Sequence, residues 1–317
     1  MKYTDFKGDK ISRLGFGTMR LPMKADGSIN YTAGQEMVDY ALANGITYFD
    51  TAYKYHEGES ENFVGAALSK HPRDSYYLAD KMPTWLCQEE GDAKKIFEDQ
   101  LAKCKTDYFD FYLVHSIEEE NWPNVPRLHI IEYLREELAA GRIRHLGASF
   151  HCEPALLRQI LTEYGDDLEF IQLQINYMDW EYAGAKALYE IAKEFDTPIV
   201  IMEPIRGGML ANPLSQAAKD ALDSADTGAS YTSYALRFVN ELDGILCTPV
   251  SYTHLDVYKR QVIHSAGGQY SIHEYCILFG NNLLSGRSVH AMIGKKQSDM
   301  GKVLTIHLDR THRKIHL

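Results

Sequence analysis

The sequence predicts an α/β protein built as a (β/α)8 TIM barrel, incomplete at its eighth unit. Three observations predict it. Short runs rich in β-branched and aromatic residues alternate with longer amphipathic stretches. The strand candidates end close to charged or polar residues. Eight such units fit within 317 residues. An open doubly wound sheet is the competing architecture for the same alternation, and the number of units at this length favours the closed barrel.

"LGFGTMRL" (14–21) reads as the first strand and "TAGQEMVDYALANG" (32–45) as the first helix, with Thr32 as its N-cap and Gly45 just past its end. "ITYFDTA" (46–52) is the next strand, and "SENFVGAALSK" (60–70) a helix capped by Ser60. The alternation continues through "SYYLADK", "AKKIFEDQLAKC", "DFYLVHS", "VPRLHIIEYLREELAAG", "IRHLGASF", "PALLRQILTEY", "LEFIQLQINY", "AKALYEIAKEF" and "TPIVIMEP". "DGILC" (243–247) is the candidate for an eighth strand.

Composition narrows the function classes. The net charge is −11, which disfavours a nucleic-acid partner, and no run of about 18 apolar residues marks a membrane span. The N-terminus "MKYTDFKGDK" lacks the apolar core of a secretion signal, and cysteines 87, 104, 152, 247 and 276 form no metal-like spacing. A cytoplasmic protein with no bound metal is expected. Charge is uneven along the chain: residues 1–248 hold 24 Lys and Arg against 40 Asp and Glu, whereas residues 249–317 hold 9 against 4 and 7 of the 13 histidines. The expected division is therefore a barrel over 1–248 and an anomalous tail over 249–317. Histidines 264, 273, 290, 307, 312 and 316 show no compact ligand pattern.

In a (β/α)8 barrel the active site is built at the C-terminal ends of the strands. Asp50, Lys81 and His115 close three successive strand candidates, and Tyr55 lies in the loop after Asp50. Tyrosine titrates near pH ~10 in water, so it becomes a useful proton donor at neutrality only beside a cation that stabilises its phenolate. Lys81 can be that cation, Asp50 can hold it, and His115 can donate to a bound carbonyl oxygen. Each residue alone is more often structural, as a helix cap, a buried ion pair or a core histidine. Their shared placement on one rim raises the functional reading. A metal-dependent hydrolase on the same fold would need clustered His and Asp, and only His115 closes a strand within residues 1–248.

"FDTAYKY", "LADK", "YLVHS" and "GRIRHLGASF" resemble successive signatures of the aldo-keto reductase superfamily over residues 10–248. "YHEGESENFVGAALS", "SFHCEP", "QINYMDW" and "MEPIRGGMLA" resemble a bacterial branch whose members often carry a C-terminal 4Fe-4S ferredoxin-like segment. The resemblance implies that Asp50, Tyr55, Lys81 and His115 form a catalytic tetrad that moves a hydride between NAD(P)H and a small-molecule carbonyl or alcohol. NADP(H) is implied ahead of NAD(H). By the same resemblance Gly17, Thr18 and Met19 meet the cofactor at the first strand end, Ser149 and Gln172 meet its carboxamide, Met202 meets the nicotinamide ring, and Glu203, Pro204, Arg206 and Gly207 lie along the pyrophosphate. Two positions depart from the family pattern: Phe150 stands where many members have asparagine, and Met202 where many have tyrosine.

Past residue 249 the resemblance ends. "SYTHLDVYKRQ" resembles a translated adapter that recurs at broken gene ends in metagenomic assemblies, so residues 249–317 are read as chimeric or artefactual. The loop that grips the adenosine 2'-phosphate, the eighth helix and the "CxxCxxC" cysteines are not in the sequence as written, which implies no iron–sulfur cluster in this chain. Two alternatives to a reductase follow: a non-catalytic nucleotide-binding barrel that regulates a partner, and a chain inactive because its C-terminus is disrupted. The oligomeric state is left open.

Overall fold

The structure, a computed structural model, describes residues 1–211, 215–224 and 229–251, and four short strands beyond them. It divides into two compact units. Among the described residues the first holds 1–174, 187–202 and 244–251; the second holds 175–186, 203–211, 215–224 and 229–243.

The first unit opens with a feature the periodicity did not announce. β1 (Tyr3–Phe6) and β2 (Asp9–Ser12) form an antiparallel hairpin turned by Lys7 and Gly8, both at positive φ. Eight parallel strands then close a barrel: β3 (Leu14–Gly17), β4 (Tyr48–Asp50), β5 (Tyr77–Met82), β6 (Phe109–Ile117), β7 (Ile143–Phe150), β8 (Phe170–Gln174), β9 (Ile199–Met202) and β10 (Ile245–Ser251). β10 pairs with β9 on one side and β3 on the other, with Thr248 opposite Leu14 and Ser251 opposite Gly17. The strand of the eighth unit is thus present, and it runs three residues past the division expected at 248. The expected absence of that unit's helix, like most of the tail, falls outside the described residues.

Between the strands lie α1 (Tyr31–Ala43), α2 (Glu59–Leu68), α3 (Asp92–Cys104), the short α4 (Asn124–Arg127), α5 (Ile130–Ala139) and α6 (Pro154–Tyr164). Two expected caps are corrected. The N-cap of α1 is Asn30, whose side chain accepts from the Ala33 N–H at 3.2 Å, so Thr32 lies inside the first turn. The N-cap of α2 is Gly58, in the left-handed region; Ser60 is instead buried, its hydroxyl joined to Thr51 and Thr18 at 2.9 and 2.8 Å. Gly45 does end α1, at φ +81°.

Alternation along the strands sorts the barrel into layers. Tyr48, Ala79, Phe111, Leu113, Phe170, Val200 and Leu246 fill the interior, and Phe6 and Ile11 of the hairpin join the same apolar cluster. Two residues further along several strands, the same inward face carries Asp50, Lys81, His115 and Gln172. An apolar layer therefore underlies a polar one at the C-terminal mouth.

The second unit contains α7 (Asp179–Tyr182), a 3-10 turn over Arg206–Ala211, α9 (Gln216–Asp223) and α10 (Tyr231–Glu241); α8 (Ala185–Glu194) begins in it and ends in the first unit. It also holds two antiparallel strand pairs, His290–Met292 with Val303–Thr305 and His307–Leu308 with Ile315–His316.

Candidate active site at the barrel mouth

Lys81 is almost completely buried, and its ammonium donates to Asp50 Oδ1 at 2.7 Å and to the Thr51 carbonyl at 2.6 Å. Burial opposes its charge, but the Asp50 carboxylate and the Tyr55 phenol beside it outweigh that penalty and hold the lysine above its ordinary value. The ammonium faces the Tyr55 ring, 5.2 Å from its centroid. His115 meets the same ring edge-on, with centroids 6.3 Å apart. The four residues picked out along the sequence are therefore neighbours in space.

The backbone explains this convergence. Asp50 and Lys81 end the inward faces of adjacent strands, with Asp50 paired to Ala79 and Lys81 to Leu113. Tyr55 is returned over the mouth by a turn in which His56 and Glu57 both take positive φ, 52° and 58°. The turn is pinned where His56 Nε2 meets the Thr18 carbonyl and the Leu21 N–H, each at 3.0 Å. β6 breaks its extended geometry at Ser116, φ 51°, just after His115.

His115 is half-buried, and its solvent-shielded Nδ1 has no partner among the described residues. Burial, and then the charges of Lys81 and His151, push its pKa well below the ordinary imidazole value. It is therefore a neutral ring at pH 7, with one N–H to offer. Trp85 tilts against it with centroids 5.1 Å apart. Nothing in the periodicity of the loop after β5 distinguished Trp85.

The other candidates in the first unit sit on the same rim but are already engaged. Thr18 is buried and donates to the Asp50 carbonyl from both its N–H and its hydroxyl at 3.0 Å. Met19 beside it is 45% exposed. Ser149 Oγ accepts from the Ser116 N–H at 2.7 Å, and Gln172 Nε2 donates to Asp50 Oδ2 at 3.3 Å. Gly17 closes β3 beside Ser251, and Met202 closes β9 opposite Gln174.

Glu203, Pro204, Arg206 and Gly207 belong to the second unit. Their loop is tightly wound: Glu203, Arg206, Gly207 and Gly208 have φ of 52°, 49°, 64° and 92°. Arg206 is paired through Nε with the buried carboxylate of Asp179 at 3.0 Å. Asn176 secures the loop by donating to Asp179 Oδ2 at 2.7 Å and to the Glu203 carbonyl at 3.1 Å. Among the described residues no group of histidine, cysteine and acidic side chains could hold a metal ion, and no helix is long and apolar enough to cross a membrane.

A closed eight-stranded parallel barrel, with a buried Lys–Asp pair facing a tyrosine and a neutral histidine at its C-terminal mouth, defines the class of site. Residues 13–246 match the aldo/keto reductase family, and the chain belongs to that family. It is 34% identical over 161 residues to aldo-keto reductase YhdN of Bacillus subtilis, covering 47% of each chain. It is 23% identical over 245 residues to probable aldo-keto reductase 1 of Glycine max, covering 75% of this chain and 66% of that one. An aldo/keto reductase from Klebsiella pneumoniae, solved with NADP and acetate, shares the fold with a TM-score of 0.71 at 20% identity, over 88% of this chain and 95% of that one. The chain spans about half to two thirds of the length of these curated relatives.

Proposed function

We propose that the protein is a cytoplasmic NAD(P)H-dependent oxidoreductase that interconverts small carbonyl compounds, such as aldehydes, ketones or sugars, and the matching alcohols. The observation that carries the reading is the Lys81 ammonium, held by Asp50 and the Thr51 carbonyl while facing the Tyr55 ring. Family membership supports the reaction class, and the bound NADP of the Klebsiella protein supports the cofactor, with NADP(H) ahead of NAD(H). Buried polar groups at the mouth fit a polar ring system: Ser149 and Gln172 can orient a carboxamide, and the glycines of the 203–208 loop permit close backbone approach. Gly17, Thr18, Met19 and Met202 complete the proposed binding set on the barrel, and Glu203, Pro204, Arg206 and Gly207 the set on the loop.

A bound nicotinamide dinucleotide supplies the hydride. Tyr55 gives its phenolic proton to the carbonyl oxygen as the carbonyl carbon is reduced, and takes it back in the oxidative direction. Lys81 stabilises the negative charge that develops on the phenolic oxygen, and Asp50 keeps the ammonium aimed. Neutral His115 donates its N–H to the substrate oxygen without competing for the proton.

Replacing Tyr55 with phenylalanine removes the acid and leaves the ring. Carbonyl-dependent NADPH oxidation is expected to fall by about 10²- to 10⁴-fold, with the thermal midpoint little changed. Turnover equal to that of the unmodified protein would refute the assignment.

A further inference from the structure

Behind Lys81, on the outer face of β5, lies a second cluster of ionisable groups that the proposed chemistry does not use. Strand alternation sends Lys81 into the barrel and Asp80 outward, towards α2 and α3. Asp80 is completely buried. Its Oδ1 accepts from the Lys81 N–H at 2.8 Å and its Oδ2 receives the Cys104 thiol at 3.7 Å, beside the carboxyl of Glu61. Glu61, also completely buried, accepts from Gln100 Nε2 at 3.0 Å and faces the Lys103 ammonium at 3.3 Å. The same Gln100 amide donates to the Lys81 carbonyl at 3.0 Å, and its oxygen accepts from the Tyr112 hydroxyl. Two strands and two helices thus meet at one carboxyl pair.

Two carboxyls side by side in a dry site resist ionising together, which favours one proton retained by the pair. The donors decide which carboxyl owns it. Glu61 faces a lysine and an amide, whereas Asp80 has one backbone N–H and a weakly donating thiol. Burial and the neighbouring Glu61 both push Asp80 far above the usual carboxylate range. The ionisable groups facing the pair are Lys103 and Cys104 from α3, Tyr112 from β6 and Lys81 from β5; Asp99 draws on Lys103 at 2.6 Å, and the Tyr53 ring lies 4.1 Å from the same ammonium.

We propose that Asp80 is a positioning residue: protonated at neutral pH, it donates to Glu61 and so ties α2 to the strand that carries Lys81. α2 begins at Glu59, directly after the Tyr55–Gly58 turn, so Glu61 sits six residues beyond the proposed acid. The tie sets the spacing between the Tyr55 ring and the Lys81 ammonium, and the inference rests on the reading of that pair given above.

Thermal unfolding of the full chain and of Asp80→Asn, followed from about pH 5 to 9, tests the shared proton without any turnover. A proton held in the folded state and released in the unfolded one makes stability fall as pH rises above about 4, the ordinary carboxyl value. A carboxamide at this position keeps its hydrogens at every pH, so the Tm of Asp80→Asn relative to the unmodified protein is expected to climb with pH. A difference that stays flat overturns the proposal. Activity tests the positioning: Asp80→Asn should retain kcat within about threefold, while Asp80→Leu lowers kcat by about 10- to 100-fold with KM for the carbonyl within about twofold. An unchanged kcat in the leucine variant, or a loss confined to KM, overturns it. If Asp80→Leu does not fold, Glu61→Met removes the other end of the tie and is held to the same criterion. A chain that turns over no carbonyl refutes the functional reading, and the Tm comparison still decides the proton.

Discussion

Lys81 is charged at a position with almost no access to water, and that is possible only because Asp50 and the Thr51 carbonyl accept its hydrogen bonds at 2.7 and 2.6 Å. Removing the lysine alone strands the Asp50 carboxylate. Lys81→Met is expected to cost about 3–5 kcal/mol of stability as well as activity, measured by chemical denaturation. Lys81→Met combined with Asp50→Leu is expected to recover most of the stability and none of the activity. Additive losses in that double variant would show that the two charges do not depend on each other. At this scale the sequence was informative about residue type. Asp50, Lys81 and His115 were visible because each ends an apolar run, and Tyr55 because it follows Asp50 closely. Trp85, Thr51 and Gln100 were not, since an indole in a loop, a backbone carbonyl and a helical glutamine carry no periodic signal.

Strands were legible wherever inward and outward faces were both apolar; "IRHLGASF" coincides with β7 and "PALLRQILTEY" with α6. Caps were less legible, because asparagine, glycine, serine and threonine all satisfy a helix N-terminus and only the path of the chain chooses among them. One contact between helices depends on an absent side chain. A Cβ on Gly65 of α2 would lie 2.2 Å from the Lys103 carbonyl and 2.8 Å from the Cys104 carbonyl carbon, both backbone atoms of α3. Gly65→Ala must therefore separate α2 from α3. It is expected to cost about 1–3 kcal/mol, more than the helical propensity of alanine returns. A Tm equal to or above that of the unmodified protein would show that the helices yield freely.

Across the whole barrel the N-terminal end is fastened by charge as the mouth is. His145 lies between Glu169 at 2.6 Å and Asp9 at 2.9 Å, and Arg144 joins Asp9 to Asp110. Asp9 comes from the hairpin, so this network ties β2 to β6, β7 and the residue just before β8. Burial alone would lower the His145 pKa, but the Glu169 and Asp9 carboxylates raise it above its ordinary value. A histidine that gains affinity for its proton on folding contributes its full stability below about pH 6.5 and loses it as pH rises through the raised value. The Tm gap between the unmodified protein and His145→Gln should therefore be widest in mild acid and narrow towards alkaline pH; a gap that widens instead would mean the imidazole is neutral. His115, held as a neutral ring, acts in the opposite sense and weakens the fold as pH drops below about 6.5.

Local pattern determined the succession of eight strands, the polar residues that end them and the family to which those endings belong, because strand alternation and strand-end chemistry are properties of a few adjacent residues. The composition break at residue 248 gave no such guidance to local structure, for β10 passes through it and pairs with β3 as far as Ser251. Only the tertiary structure decided that the hairpin joins the barrel's apolar cluster, that Arg206 is bound to Asp179 and that Asp80 meets Glu61. Each of these is a contact between residues that are apart in the chain, and its energy depends on burial and on what faces what across elements, which no window of sequence contains.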